Sequence, residues 1–239
     1  MSEKKKMPDS LNMKYRLWRR INTWIDRVIL AVLLFFILLT GSGLLDGLAL
    51  LEEGINGVEY HSFSQLKEIN PDTMAWLAVD GTHIDHPVVR SRDNFDYLDT
   101  GFDGKDYAGG TLFLDKGNES FEDPYSVIHG HNMAGGAMFG DLDKFLDEGF
   151  FSRNSSGTLL TPDHDYDLEV FAAGVFDAYD MHIYKTGGEA PAEYIREKAL
   201  LCRDAEAADH VLALSTCLDD MTDNRAVVFC RLINRRKHR

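Results

Sequence analysis

The spacing of apolar residues changes along the chain, and each change predicts a different kind of element. Residues 28–45, VILAVLLFFILLTGSGLL, contain no charged side chain. That is close to the ~18–20 residues needed to cross the hydrocarbon core of a bilayer, and the run is apolar on every side rather than along one stripe. Residues 46–60 form a short acidic, glycine-containing connector. Residues 62–70, SFSQLKEIN, predict a short helix. Ser62 suits the N-cap, Phe63, Leu66 and Ile69 recur at intervals of three to make one face, and Pro71-Asp72 stops it.

From Met74 the pattern becomes that of strands. Residues 74–79 are a first apolar run closed by an Asp80-Gly81 turn, and Ile84 and Pro87-Val-Val89 continue it. Asn94 to Leu98 reads as an irregular or helical turn. Runs at 110–114, 125–128, 157–161 and 168–178 read as further strands, while 138–145 alternates at helical spacing. Residues 191–203 predict the longest helix after residue 60, with Pro191 in its first turn and Ile195, Ala199 and Cys202 on one face. Two last runs, Val211-Leu-Ala-Leu-Ser-Thr-Cys217 and Ala226-Val-Val-Phe-Cys230, read as strands. Many short strands with sparse helices predict a mainly β chain with peripheral helices, either a barrel or a sandwich.

Charge divides the chain in the same places. The first 27 residues carry eight Lys/Arg against three acids, so they hold +5 of a total of −14 and leave −19 for the rest. Basic residues on the N-terminal side of the apolar run place that side in the cytoplasm and residues 46–239 outside. The expected organisation is a basic cytoplasmic tail (1–27), a single-pass anchor in the cell membrane (28–45), a linker (46–60) and an extracellular domain (61–239). A cleaved signal peptide, with small residues at Gly41-Ser-Gly43, is the rival reading. A body this acidic repels phosphate, which excludes nucleic acid as a natural partner. Of the cysteines, Cys202, Cys217 and Cys230, at least one is left as a free thiol in a protein facing outward, and the lack of a CxxC pair argues against structural zinc.

Three residues then stand out. Cys217 ends an apolar run after Ser215-Thr216 and opens onto the polar loop Leu218-Asp-Asp-Met-Thr-Asp-Asn224. Strand ends that meet loops are where reactive side chains concentrate. Arg225 follows that loop, and a His pair, His129 and His131, lies just past the run at 125–128. Cys, His and Arg could form a nucleophile, an acid/base and an oxyanion-stabilising cation. Each also has a plain reading: a buried small thiol, a structural His, and an Arg paired with Asp219, Asp220 or Asp223. On an alternating strand His129 and His131 share a face, so spacing does not choose between them. Both together with Cys217 could hold a metal, but three such ligands without a second Cys are a weak set.

The same residues resemble the sortases, and within them class B. Leu214-Ser-Thr-Cys217 resembles the Thr-Leu-x-Thr-Cys signature of that family, with Ala213 in place of the Thr. Gly130-His131 resembles its Gly-His, and Arg225, opening the final strand, resembles its Arg. Asn70-Pro-Asp-Thr-Met-Ala-Trp-Leu77, Gly81-Thr-His-Ile-Asp-His-Pro-Val-Val89, Asp93-Asn-Phe-Asp-Tyr-Leu98 and Gly130-His-Asn-Met133 are also similar to class B, and together the matches span about residues 61–233. His129 stands where the class often has Tyr, and Leu218 where it often has an acid.

The resemblance implies an eight-stranded β-barrel, an N-terminal helix packed on it and a long helix at 191–203. It implies that Cys217, His131 rather than His129, and Arg225 are catalytic, that Asn94, Leu98, Ser215 and Thr216 line the substrate groove, and that no metal or cofactor takes part. The implied activity is that of a thiol transpeptidase of the Gram-positive cell wall. It cleaves a secreted protein after the Thr of an NPxTN-like or xPxTG-like C-terminal sorting signal, and joins the acyl group to a primary amine of a peptidoglycan precursor or a pilin. Two rivals come from other classes. An L,D-transpeptidase places His-Gly-Cys around its nucleophile, where this chain has Ser-Thr-Cys. A tethered barrel that only binds wall proteins would have no use for the Cys, His and Arg together.

Overall fold

A computed structural model describes residues 62–203, 209–218 and 222–237. These fall within one compact unit, Leu51–Arg239. The predicted tail, the apolar run at 28–45 and the linker lie outside the described residues, as do Asp219 and Asp220. Among the described residues no helix is long and apolar enough to cross a membrane.

Helix α1 (Phe63–Ile69) starts as predicted, with Ser62 extended and its Oγ accepting from Gln65 N. Its face differs from the prediction. Leu66 packs among Trp76, Val89, Tyr97, Phe102 and Phe113, whereas Ile69 is 51% exposed. At 3.6 residues per turn each step of three falls about 60° short of a full circle, so two steps carry Ile69 roughly 120° away from Phe63.

Nine strands follow: β1 (Thr73–Val79), β2 (Asp85–Arg90), β3 (Leu112–Leu114), β4 (Tyr125–His129), β5 (Ser156–Leu160), β6 (His164–Asp177), β7 (Leu201–Cys202), β8 (Val211–Cys217) and β9 (Asn224–Lys237). They pair in the order β5-β1-β2-β3-β4-β8-β9-β6, and β6 returns to β5, so eight strands close a barrel. The two-residue β7 adds to β6 outside that ring. The pairs β2–β3 and β4–β8 are parallel. The barrel and its strand number agree with the expectation from the sequence.

The barrel interior is filled by residues such as Leu77, Val88, Leu112, Ile128, Leu168, Leu212, Leu214, Val228 and Cys230. A second cluster covers the outside of β4, β8 and β9. Tyr125, Val127, Ala213, Val227 and Phe229 point outward there and are roofed by Ile183 and Ile195. Strands buried on both faces need no polar alternation, which is why Val211–Cys217 and 226–230 read as continuous apolar runs. Cys230 is fully buried, and that burial pushes its thiol up to about 12.

The helix predicted at 191–203 is shorter. Helix α3 is Ala192–Lys198; Ala199 is extended, and Leu201 and Cys202 pair with β6. Arg203 anchors the exit: its guanidinium donates to the carbonyls of Val170 (2.6 Å), Asn154 (3.2 Å) and Phe151, and lies 4.0 Å over the Phe151 ring. Pairing with an open edge of β6 therefore overrides helical periodicity, and Cys202 ends exposed instead of on a buried helix face. The stretch at 138–145 contributes a 3₁₀ turn, Leu142–Leu146, that buries Leu142 and Phe145. A helix not predicted, α2 (Glu148–Arg153), is capped by Asp147, which accepts from Phe150 N at 2.8 Å.

Candidate active site

The site lies at the C-terminal ends of β4 and β8, where β9 begins. Cys217 is the last residue of β8, and the ladder sets it opposite Arg225 on β9. Residues of odd number on β8 and β9 face outward, so both side chains leave the barrel on the same side. Arg225 Nη1 donates to Cys217 Sγ at 2.6 Å. Among the described residues, Asp223 included, Arg225 forms no ion pair with a carboxylate.

The parallel register of β4 and β8 sets His129 beside Ser215. Beyond that pair the two chains stay tied: Gly130 N donates to Ser215 O (3.2 Å), Thr216 Oγ1 to Gly130 O (2.8 Å) and Asn132 Nδ2 to Cys217 O (2.9 Å). His131 is thereby held next to the end of β8. Gly130 is required at the exit from the strand, because a Cβ there would come within 2.3 Å of Leu112 Cδ2 and 2.8 Å of Phe139.

The two histidines occupy different environments. Strand β4 stops at His129, so alternation no longer governs residue 131. The expectation that both share a strand face fails for that reason. The His129 ring lies between Phe113 and Tyr184, and its Nε2 meets Asp115 Oδ2 at 2.9 Å. His131 Nε2 meets the backbone carbonyl of Leu98 at 2.9 Å. A carbonyl only accepts, so Nε2 carries the hydrogen and Nδ1 is the nitrogen left to give or take a proton.

The four residues expected to line a groove are placed unevenly. Leu98 contributes its carbonyl to His131. Asn94 is engaged within the protein: its Nδ2 donates to Asp115 Oδ2 (2.7 Å) and its Oδ1 accepts from Lys116 N (2.7 Å). Ser215 and Thr216 are buried, with their hydroxyls bound to Tyr184 and Gly130.

Three further residues shape the site and were not singled out from the sequence. Asn132 holds the Cys217 carbonyl, and its place beside His131 was the one available signal. Tyr184 stacks on His129 and shares a hydrogen bond with Ser215 Oγ at 2.9 Å; burial pushes its phenol up to about 12. Asp115 is buried; burial pushes its carboxyl up, but the hydrogen bonds from His129 and Gly117 N outweigh this and hold it below the usual carboxylate range. Nothing local marks Tyr184 or Asp115, because both act through partners distant in sequence.

Comparison with known proteins agrees with this geometry. The sortase domain family model matches residues 77–233. Sortase B of Listeria monocytogenes is 28% identical over 193 residues, covering 76% of this chain and 78% of that protein. The crystal structure of a Streptococcus pyogenes class B sortase involved in pilus biogenesis superposes with a TM-score of 0.66 at 34% identity, covering 72% of this chain and 97% of that one. A Staphylococcus aureus sortase B–substrate complex superposes with a TM-score of 0.66 at 25% identity, covering 72% of this chain and 84% of that one. A family match over most of the barrel, class B relatives across the same span and a Cys–Arg pair set by strand register lead to one conclusion: this chain belongs to the sortase family, as a cysteine transpeptidase of class B.

Proposed function

We propose that this sortase cleaves a C-terminal sorting signal of the NPxTN or xPxTG kind after its Thr and transfers the acyl group to a primary amine of the cell wall or of a pilin. The observation that carries this reading is the Arg225 guanidinium 2.6 Å from the Cys217 sulfur, at the end of two paired strands.

In the first half-reaction Cys217 Sγ, its proton passed to His131 Nδ1, attacks the Thr carbonyl carbon. A C–S bond forms and the carbonyl oxygen gains negative charge. Arg225 donates to that oxygen; its charge is permanent and its N–H groups are held in a rigid fork. The C–N bond then breaks as His131 Nδ1 gives a proton to the leaving amine, and a thioester on Cys217 remains. In the second half-reaction a primary amine attacks the thioester, His131 takes a proton from it, and the sulfur leaves. A new amide links the two partners.

The pilus role of the Streptococcus pyogenes relative favours a pilin amine as one acceptor, and a peptidoglycan amine is the other. We place the barrel outside the cell, held by residues 28–45 as a single membrane span with the basic tail in the cytoplasm. There it would meet secreted substrates as they emerge from the same membrane.

The test is to incubate the protein with a sorting-signal peptide and no amine, and to weigh it. A mass gain equal to the N-terminal fragment up to Thr, confined to Cys217, is expected. It should vanish on adding hydroxylamine and be absent from Cys217→Ala. Cys202→Ala and Cys230→Ala should still form the adduct. Full transpeptidation by Cys217→Ala would overturn the reading.

A further inference from the structure

Asp115 follows β3 and is 6% exposed, so it does not reach solvent or a bound peptide freely. Its carboxylate is met by four donors. Oδ2 accepts from Asn94 Nδ2 (2.7 Å) and meets His129 Nε2 (2.9 Å), while Oδ1 accepts from Gly117 N (2.8 Å) and Thr186 Oγ1 (3.2 Å). A carboxylate has room for about four such bonds, so none is left for the reacting atoms.

The donors come from separate parts of the chain, and two of those parts flank the nucleophile. Asn94 belongs to the loop whose Leu98 carbonyl holds the His131 ring. That loop turns at Asn94, whose φ of 70° lies in the left-handed region that Asn enters more readily than other non-glycine residues. Its side chain is tied by Nδ2 to Asp115 and by Oδ1 to Lys116 N, and four residues on Leu98 N donates to Phe95 O. On the other flank, Thr186 and Tyr184 belong to one irregular segment, and Tyr184 reaches Ser215, two residues before Cys217. His129, on the same carboxylate oxygen as Asn94, stacks on Tyr184.

We propose that Asp115 is the positioning residue of this active site. It binds the loop that orients His131 and the segment that borders Ser215 with a single buried carboxylate. The proposal rests on the cysteine chemistry above. Asp115 acts through Asn94 and Leu98 on the direction in which His131 Nδ1 points, and touches no substrate. If the charge is lost, Asn94 is released from its left-handed conformation, the Leu98 carbonyl shifts and the imidazole turns.

Asp115→Asn tests this. It keeps the shape but turns one acceptor into a donor, so at least one of the four donors is left facing an N–H. In the full-length protein kcat for transpeptidation should fall roughly 10- to 100-fold, the cost of misplacing a reacting group by about an ångström, with KM nearly unchanged. The nitrogen resonances of the His131 imidazole should move from the pattern of a single tautomer to an averaged one. His129→Leu removes one donor and retains the bulk; it should shift the same resonances with a smaller fall in kcat. The imidazole signal needs no turnover, so it reports on Asp115 even if the substrate assignment is wrong. A lowered melting temperature with unchanged His131 resonances and kcat within about twofold would leave Asp115 as a purely structural residue and overturn the proposal.

Discussion

Two sides of the active site are built in different ways. On one side, Cys217 and Arg225 sit opposite each other in an antiparallel ladder whose every step from Val211↔Arg231 is in register. Their separation is a property of backbone pairing, and β8 and β9 are buried on both faces. On the other side, His131 has left its strand and is held from outside: by the Leu98 carbonyl, by Asn132 on Cys217 O, and by Phe139 N donating to His131 O at 2.9 Å. A sliding register would be needed to move the nucleophile, whereas one side-chain contact can turn the acid/base. The group that must meet a changing proton is thus on the adjustable side, and the two groups that must meet a fixed carbonyl are on the rigid one.

The sharpest break of this comparison is at His131. Removing a general acid/base typically costs ~10²–10⁴-fold, so His131→Ala should lose at least that in kcat, and His129→Ala much less. Steady-state rates with one peptide and one amine decide it. The reverse order would mean that the two histidines exchange roles and that the strand end at His129, not the loop at His131, carries the chemistry.

Arg225→Lys tests the rigid side. Lysine keeps the charge and loses the fork, so kcat should fall by roughly 10²–10³-fold, the cost of one oxyanion donor. Because the interaction strengthens only as charge develops on the oxygen, KM should change less. A near-normal kcat with a lowered melting temperature would make Arg225 a support for β9 and leave the chemistry to Cys217 and His131.

Acid should act more gently, on the barrel at β2 and not on either side of the site. His86 on β2 is 7% exposed, its Nε2 has no partner among the described residues, and burial lowers its pKa from 6.5 to about 4, against the pull of Asp85. The unfolded chain therefore takes up a proton below about pH 6.5 that the folded chain refuses until about pH 4. Stability is complete above this window and declines through it as pH falls, by at most ~3 kcal/mol from this residue. Asp115, whose pKa is depressed, contributes support that remains at these pH values and is lost only as pH falls further through its folded-state pKa. Denaturant unfolding followed between pH 7 and 4 should show the slope, and His86→Leu should flatten it. A flat parent profile would show that His86 finds a partner in solution.

Much of the fold was legible because it follows from local periodicity. The runs that became β1, β4, β5, β8 and the start of β9 are apolar and rich in β-branched residues, and Ser62 caps α1 as predicted. The position of Cys217 at a strand end beside two hydroxyl residues, and of Arg225 at the head of the next run, is equally plain from the order of residues alone. Helix α2 was not legible in this way: Asp147 is a good cap, but the six residues after it are too few to establish a helical period.

What the amino-acid order could settle ended where contacts between distant residues begin. It established the strand runs, the reactive residue types and a barrel as one of two architectures, since these depend on neighbours a few positions apart. Folding decided that residues 201–202 pair with β6 and do not extend a helix, because the edge of β6 offered ladder hydrogen bonds that periodicity cannot register. It separated His129 from His131 through Asp115 and the Leu98 carbonyl, 14 and 33 positions away. It brought Asn132 to Cys217 across 85 positions, and Tyr184 to Ser215 across 31. A hydrogen bond of this kind depends on where two chain segments meet in space, and that meeting is set by barrel closure rather than by anything in the sequence next to either residue.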